Sequence, residues 1–265
     1  MNMFVHELKA YRKSMLVWTC SLIGILILLM SLFPAVSKDI DEFSKVLEGY
    51  PEGIRKALGI EIESMGTILG FYGYIFMYIT LGGAIQAMIL GTSIVSKEVR
   101  DKTADFLLTK PVSRTQIMTS KLLAAVVSLS VTNAFYLIAA NLIAVQVKTV
   151  EYSGKLFFMI SITLLFIQLV FLAIGIIVSV VFLRIKAVLS VSLSTVFAFF
   201  VIGMLVSAGD EGTKRYLSPF KYFEPRTIIE SANYEAPFIA AAIGIIVVCI
   251  AASYVVYLKK DVHAV

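Results

Sequence analysis

Long apolar runs dominate the chain, and short polar segments separate them. A membrane-spanning helix needs about 20 apolar residues, because the hydrocarbon layer is about 30 Å thick and an α-helix rises about 1.5 Å per residue. Six runs reach that length, at residues 15–33, 67–95, 117–147, 156–183, 187–208 and 237–258. The pattern predicts an all-α integral membrane protein with six transmembrane helices in a single domain over residues 1–265.

Composition and charge agree with this interpretation and orient the chain. Hydrophobic residues make up 59% of the sequence and charged residues 15%, which is more apolar than a soluble domain of this size can bury. The side of the membrane that would hold both termini and the loops after the second and fourth spans carries thirteen cations and five acids. Positively charged loops stay cytoplasmic, so both termini are predicted inside. The net charge of +5 then reflects topology and gives no reason to expect nucleic-acid binding.

Residues 1–14 have the pattern of a helix that lies in the membrane interface. Their apolar side chains recur at helical spacing, and Glu7 is among the charged residues assigned mostly to the opposite face. This segment is predicted to be either an anchor or a docking element for a partner, and the sequence leaves both open. Its characteristic residues are Phe4, Leu8, Tyr11 and Arg12.

The segment between the first two spans, residues 35–66, is also amphipathic and is predicted to lie outside. Apolar residues recur at helical spacing before and after Pro51, which interrupts the pattern. We therefore expect acidic amphipathic helices that cover the outer face.

The cytoplasmic segment 96–116 is the most informative part of the chain. Glu98 and Lys102 form an i,i+4 pair on a short amphipathic helix, and Pro111 prevents that helix from continuing. Ser113 followed by Gln116 has the pattern of a capping box, which would begin the third span. The apolar residues 106–108 would then be exposed at the inner surface, as a docking element requires.

Residues 95–124, VSKEVRDKTADFLLTKPVSRTQIMTSKLLA, resemble the loop between the second and third spans of type-2 ATP-binding-cassette (ABC-2) permeases. Residues 216–224, YLSPFKYFE, are similar to the outer segment before the last span in that family. The resemblance implies a non-catalytic membrane subunit in the plasma membrane of a prokaryote. It also implies that the loop forms a coupling helix in a cleft of a separate ATPase, beside the N-terminal helix.

The same resemblance implies the partners of the chain. Two copies of a cytosolic ATPase would bind ATP and Mg²⁺, and a second permease, the same chain or a homologue, would complete the complex. The residues that would contact the ATPase are Glu98, Arg100, Thr103, Phe106, Leu107 and Leu108.

The sequence contains no site of its own for nucleotide or metal chemistry. It has no Gly-x-x-x-x-Gly-Lys-Ser/Thr loop, and its two histidines, His6 and His263, lie at opposite ends of the chain. Cys20 and Cys249 both fall inside apolar spans, which favours buried thiols over a disulfide. No catalytic residue and no metal ligand is predicted.

Polar and small residues inside the spans favour different roles. Side-chain amides and hydroxyls favour interhelical hydrogen bonds, or else a partly polar translocation surface. Small residues four apart favour close helix packing, which we assign to the seam of a permease dimer. The surface candidates are Tyr78, Gln86, Asn133 and Gln168, and the seam candidates are Gly83, Ala87, Gly91, Ser190 and Ser194.

These observations favour the permease subunit of an ABC exporter that moves an amphipathic peptide, toxin, drug or lipid outward. The main alternative is an ion-coupled secondary transporter or channel. Such proteins usually place acids or histidines near mid-membrane, and the six predicted spans contain neither. A structural or regulatory membrane protein that binds the ATPase and transports nothing remains a third class.

Overall fold

The structure is a computed structural model that describes residues 3–100, 112–182, 185, 187–209 and 212–259. Within these ranges it does not describe the side chains of residues 63, 95 and 97–100. All regular structure in the described residues is helical.

Eleven α-helices and two 3₁₀ helices follow one another in the described residues. In chain order the α-helices are α1 (Met3–Met30), α2 (Phe33–Lys38), α3 (Ile40–Glu48), α4 (Glu52–Ala57), α5 (Ile62–Met65), α6 (Ile68–Arg100), α7 (Arg114–Val147), α8 (Gly154–Val181), α9 (Val188–Ala208), α10 (Pro225–Ser231) and α11 (Ala236–Lys259). The 3₁₀ helices are Gly212–Leu217 and Pro219–Lys221, between α9 and α10.

Six of these helices are long and apolar enough to cross a membrane: α1, α6, α7, α8, α9 and α11. They alternate in direction. We call the end of the bundle where α1 and α7 begin and α6 ends the base, and the opposite end, with residues 33–67 and 212–235, the cap. Each predicted apolar run overlaps one of the six helices, so the expectation of an all-α membrane protein with six spans is confirmed.

The N-terminal segment differs in one respect from the expectation. Residues 3–14, predicted as an interfacial helix separate from the first span, continue into that span as the single helix α1. No proline or glycine occurs between Met3 and Trp18, so the sequence provides no residue that would end the helix there. Whether this part of α1 lies in the membrane interface stays a prediction.

The cap contains the short amphipathic helices expected from residues 35–66. α3 and α4 flank Pro51 as predicted, and α4 packs against the end of α9. Their contact is close enough that a side chain at Gly53 would lie 4.0 Å from the carbonyl oxygen of Ala208. This part of the sequence interpretation is confirmed as helical structure.

Ion pairs join the segments of the cap. Arg226 lies 3.1 Å from Glu61, and Arg215 donates to Glu235 at 2.6 Å while its guanidinium carbon lies 4.2 Å from the centre of the Phe238 ring. Partial burial raises the pKa of the Glu61 carboxyl, although Arg226 favours its charged form. The segment before α11 is thereby tied to the segment that follows α1.

Candidate functional site

The ends of α6 and α7 flank the segment predicted to dock an ATPase. The Ser113 hydroxyl accepts a hydrogen bond from the Gln116 backbone at 3.2 Å, and the Ser113 N–H donates to Oε1 of Gln116 at 3.1 Å. The predicted capping box is therefore confirmed, and it fixes where α7 begins. α6 extends to Arg100, so residues 96–100 belong to the helix of the second span and not to a loop.

The six predicted ATPase contacts are not tested by this geometry. Glu98 and Arg100 lie in the last turn of α6, and their side chains are not described. The other four, Thr103, Phe106, Leu107 and Leu108, lie outside the described residues, as does the predicted partner of Glu98, Lys102.

The most unusual feature of the base is a buried ion pair close to these helix ends. Lys121 of α7 is 1% exposed, and its ammonium donates to the backbone carbonyl oxygen of Ile94 in α6 at 2.6 Å. The same ammonium lies 3.9 Å from Oε1 of Glu7 in α1, whose side chain is 7% exposed. One cation therefore joins three helices in a region where charged groups are costly to bury.

The position of Glu7 corrects the sequence interpretation of the N-terminal segment. Glu7 was expected mostly on the polar face, but it is buried, together with Tyr11, on the face that packs against the bundle. Of the predicted interfacial residues, Phe4 and Leu8 are half-buried on that side and Arg12 is exposed. The reason is that Lys121 supplies a counter-charge from another helix, which periodicity within one segment does not reveal. The available signal was Lys121 itself, a cation just inside a predicted span, which needs a counter-charge from another segment.

A second polar cluster lies halfway along the bundle. Gln168 of α8 donates to Oε1 of Gln86 in α6 at 3.0 Å and accepts from the amide of Asn133 in α7. The amide of Gln86 also donates to Thr132, whose hydroxyl lies 3.0 Å from that of Thr19 in α1. All five side chains are buried, so four helices share one hydrogen-bonded cluster.

The predicted translocation surface is therefore only partly brought together. Gln86, Asn133 and Gln168 meet inside the chain and make interhelical hydrogen bonds, which was the other interpretation that the sequence allowed. Tyr78 is not part of this cluster: it is 37% exposed, and its hydroxyl lies 3.2 Å from that of Tyr74 on the same helix. In this conformation the three side chains are buried, and Gln86 also borders a small cavity between α1, α6 and α7.

Polar groups continue along the buried face of α7 in both directions from this cluster. Towards the cap, the Tyr72 hydroxyl lies 2.7 Å from those of Tyr136 and Ser161. Towards the base, Tyr11 and Ser128 help to line a small cavity of about 50 Å³ between α1, α6 and α7. Since one water molecule needs at least about 10–15 Å³, this cavity, lined by both polar and apolar side chains, is large enough for water. The buried face of α7 thus carries polar groups from Lys121 to Tyr136.

Gly83, Ala87 and Gly91, which we assigned to the permease seam, are packed inside the chain in this conformation. A side chain at Gly91 would lie 2.5 Å from the carbonyl oxygen of Leu172, and one at Gly83 would lie 2.5 Å from Leu164, both in α8 of the same chain. Ala87 is completely buried. The small residues do allow close packing, as their spacing predicts, but the helix that approaches is α8 and not a second permease.

The other seam residues are placed differently. Ser190 and Ser194 are exposed on α9, in line with Ala198, which is also exposed. Their role in a seam stays a prediction. Within the described residues no cluster of three or more metal-ligating side chains occurs.

Comparison with known proteins identifies the family of the chain. A search of curated proteins finds no match to the chain. The family model described as "ABC-2 family transporter protein" matches residues 1–262 and so includes all six membrane-spanning helices, the base and the cap. The chain, an all-α protein with six helices able to cross a membrane, belongs to the ABC-2 transporter family.

Proposed function

We propose that this ABC-2 permease works as an exporter subunit whose energy comes from a separate ATPase, which docks on residues 101–113 and on Glu98 and Arg100 at the end of α6. The observation that carries the proposal is the position of this segment, between the base ends of the two longest helices, α6 and α7. Lys121 of α7 contacts α1 through Glu7 and α6 through the carbonyl group of Ile94, so the three helices are joined at the base. A force applied to the segment therefore acts on helices that extend through the whole bundle.

One feature of the sequence and one property of the family support the separate ATPase. The chain lacks a phosphate-binding loop, and Gly209–Lys214, GDEGTK, does not have its spacing. Permeases of this family normally work with an ABC ATPase. We place the base and both termini in the cytoplasm, because the positively charged loops lie on that side.

The transport cycle that we propose is mechanical. Closure of two ATPases on ATP would move the coupling segments, and α6 and α7 would carry this movement to a seam between two permeases. An amphipathic cargo suits a seam lined by apolar helices, and the outer segments, with thirteen acids to ten cations, suit a cationic peptide. ATP and Mg²⁺ would be bound by the partner.

Docking is tested by introducing charge into the apolar residues of the segment. Phe106→Asp with Leu107→Asp is expected to reduce the ATPase recovered with the affinity-purified permease by about tenfold or more, because truncating a buried apolar anchor of an interface typically costs 2 kcal/mol or more. The measurement is ATP hydrolysis and band intensity in the purified complex from native membranes.

The matched control places the same charges on the opposite side of the membrane. Tyr50→Asp with Val150→Asp changes two exposed residues, 49% and 61% accessible, at the cap. ATPase recovery should equal that of the wild type. Equal recovery with the Phe106/Leu107 variant would show that the ATPase does not dock there, and cargo transport by the purified permease with an ion gradient alone would favour the secondary transporter.

The exposed Ser190 and Ser194 support a homodimer in which α9 of each permease lies at the seam. In a chain with Cys20 and Cys249 replaced by alanine, Ser194→Cys is expected to form an intermolecular disulfide in oxidised native membranes. Ala87→Cys is the matched control: Ala87 is completely buried inside the chain, so this variant should remain monomeric. Gel mobility without reductant measures both. Absence of the Ser194→Cys dimer would remove α9 from the seam.

A further inference from the structure

We propose that Lys121 and Glu7 form a clamp that makes α1 and α6 follow α7 when the segment 101–113 is displaced. The inference rests on the proposed docking of an ATPase and goes further, because it assigns a positioning role to two residues outside the docking segment. We call Glu7, Lys121 and the carbonyl group of Ile94 the base clamp.

The first argument is the location of the base clamp. Ile94 lies six residues before the end of α6, and Lys121 lies seven residues after the start of α7. At about 1.5 Å per residue, the contact is roughly 10 Å from each end of the proposed docking segment. Any displacement of that segment is therefore applied close to the bond between Lys121 and α6.

The second argument is the direction in which Lys121 points. A lysine near the end of a membrane helix ordinarily extends its flexible chain towards water, where its charge is solvated. Lys121 instead is 1% exposed and directs its ammonium to a backbone carbonyl of the neighbouring helix. It therefore does not anchor α7 to the lipid surface. Its charge interacts instead with Glu7 of α1 and with the carbonyl group of Ile94 in α6.

The third argument concerns Glu7. Its carboxylate is buried, and Lys121 is the cation within ion-pair distance among the described residues. Oε2 of Glu7 is also buried and has no hydrogen-bond partner in the described part of the chain. Because an isolated buried carboxylate is strongly unfavourable, the position of α1 depends on that of the Lys121 ammonium.

The fourth argument is that the stability of the fold does not require a charged pair at this position. Buried ion pairs can often be replaced by apolar residues of similar volume with no loss of stability. Their attested contribution is to fix one relative position of two helices and to disfavour the others. The base clamp therefore fixes the position of α1 and α6 on α7, and a charge-free pair would retain the fold while allowing these helices to shift.

The experiment compares four forms of the full-length permease with its co-purified ATPase in lipid nanodiscs. They are the wild type, the charge-free pair Glu7→Gln with Lys121→Met, the conservative Lys121→Arg, and Lys9→Met as a control. Lys9 is an exposed lysine on the same helix as Glu7. All four forms have Cys20 and Cys249 replaced by alanine, because both native thiols are free. Spin labels at Val5→Cys and Leu123→Cys, both exposed, report the α1–α7 distance in the absence of nucleotide and with a non-hydrolysable ATP analogue.

The wild type, Lys121→Arg and Lys9→Met are expected to give one narrow distance that the analogue does not change. The charge-free pair is expected to retain its ATPase and to give a second distance when the analogue binds, displaced by up to about 5 Å, one helical turn. A purely structural role would not make the distance depend on nucleotide.

The outcomes separate the two proposals. If the wild type retains no ATPase, the proposed function fails, and the clamp with it. If the ATPase is retained and the charge-free pair keeps the single wild-type distance with and without the analogue, the clamp alone is wrong. A second distance in Lys121→Arg or Lys9→Met equal to that of the charge-free pair would also overturn it.

Discussion

Replacing Gly91 with alanine is expected to lower the free energy of unfolding by about 2 kcal/mol, a roughly 30-fold fall in the ratio of folded to unfolded protein. The added methyl group would lie 2.5 Å from the carbonyl oxygen of Leu172 and 3.0 Å from Cα of Gly175. Both are backbone atoms and cannot rotate away. The two helices, α6 and α8, would have to separate along their closest contact.

The control is the same substitution in a helix that has room for it. A side chain at Gly24 of α1 would meet no atom within 4 Å, and alanine is favoured over glycine in a helix by about 1 kcal/mol. Gly24→Ala should therefore be neutral or slightly stabilising. Reversible unfolding in mixed micelles, followed by circular dichroism, measures both variants. If both shift the midpoint equally, the close contact of α6 and α8 is incorrect.

Replacing Gln168 with leucine is expected to destabilise the protein by about 1–3 kcal/mol, because buried amides lose their partners. The substitution removes the acceptor of Asn133 and the donor to Gln86, which both remain buried. The hydrocarbon layer offers these amides no replacement partners.

A second variant separates lost hydrogen bonds from lost volume. Changing Gln86, Asn133 and Gln168 to leucine together removes all three amides, and it should recover most of the stability, because no amide is left without its partner. Asn141→Leu is the control: its amide is on the same helix as Asn133 but is exposed. The same unfolding measurement applies. If the triple variant is less stable than Gln168→Leu, volume and not hydrogen bonding determines the cost.

The sequence was sufficient for the features that depend on one segment at a time. The length of an apolar run predicts a span wherever it occurs, and the capping box at Ser113 and Gln116 depends only on residues three apart. The helices on either side of Pro51 follow from local periodicity in the same way. These predictions succeed because their physical causes are local.

The features that the sequence did not predict depend on which helices meet. Gly83 and Gly91 correctly indicated close packing, but every span is apolar on several sides, so nothing local distinguishes α8 from a second permease as the partner. Glu7 was assigned to the polar face because its counter-charge, Lys121, lies 114 positions further along the chain. The amides of Gln86 and Gln168 were identified as candidates for hydrogen bonding, and only the helix arrangement pairs them.

The lengths of α6 and α7 have a consequence for any partner that reaches the base. With 33 and 34 residues, each is roughly 50 Å long, whereas the hydrocarbon layer is about 30 Å thick. α9, with 21 residues, is roughly 31 Å long and matches that thickness. Helices near the membrane normal whose cap ends lie at the lipid boundary would therefore hold Arg100 and Arg114 well below the headgroups. A water-soluble protein could reach these two helix ends without displacing lipid.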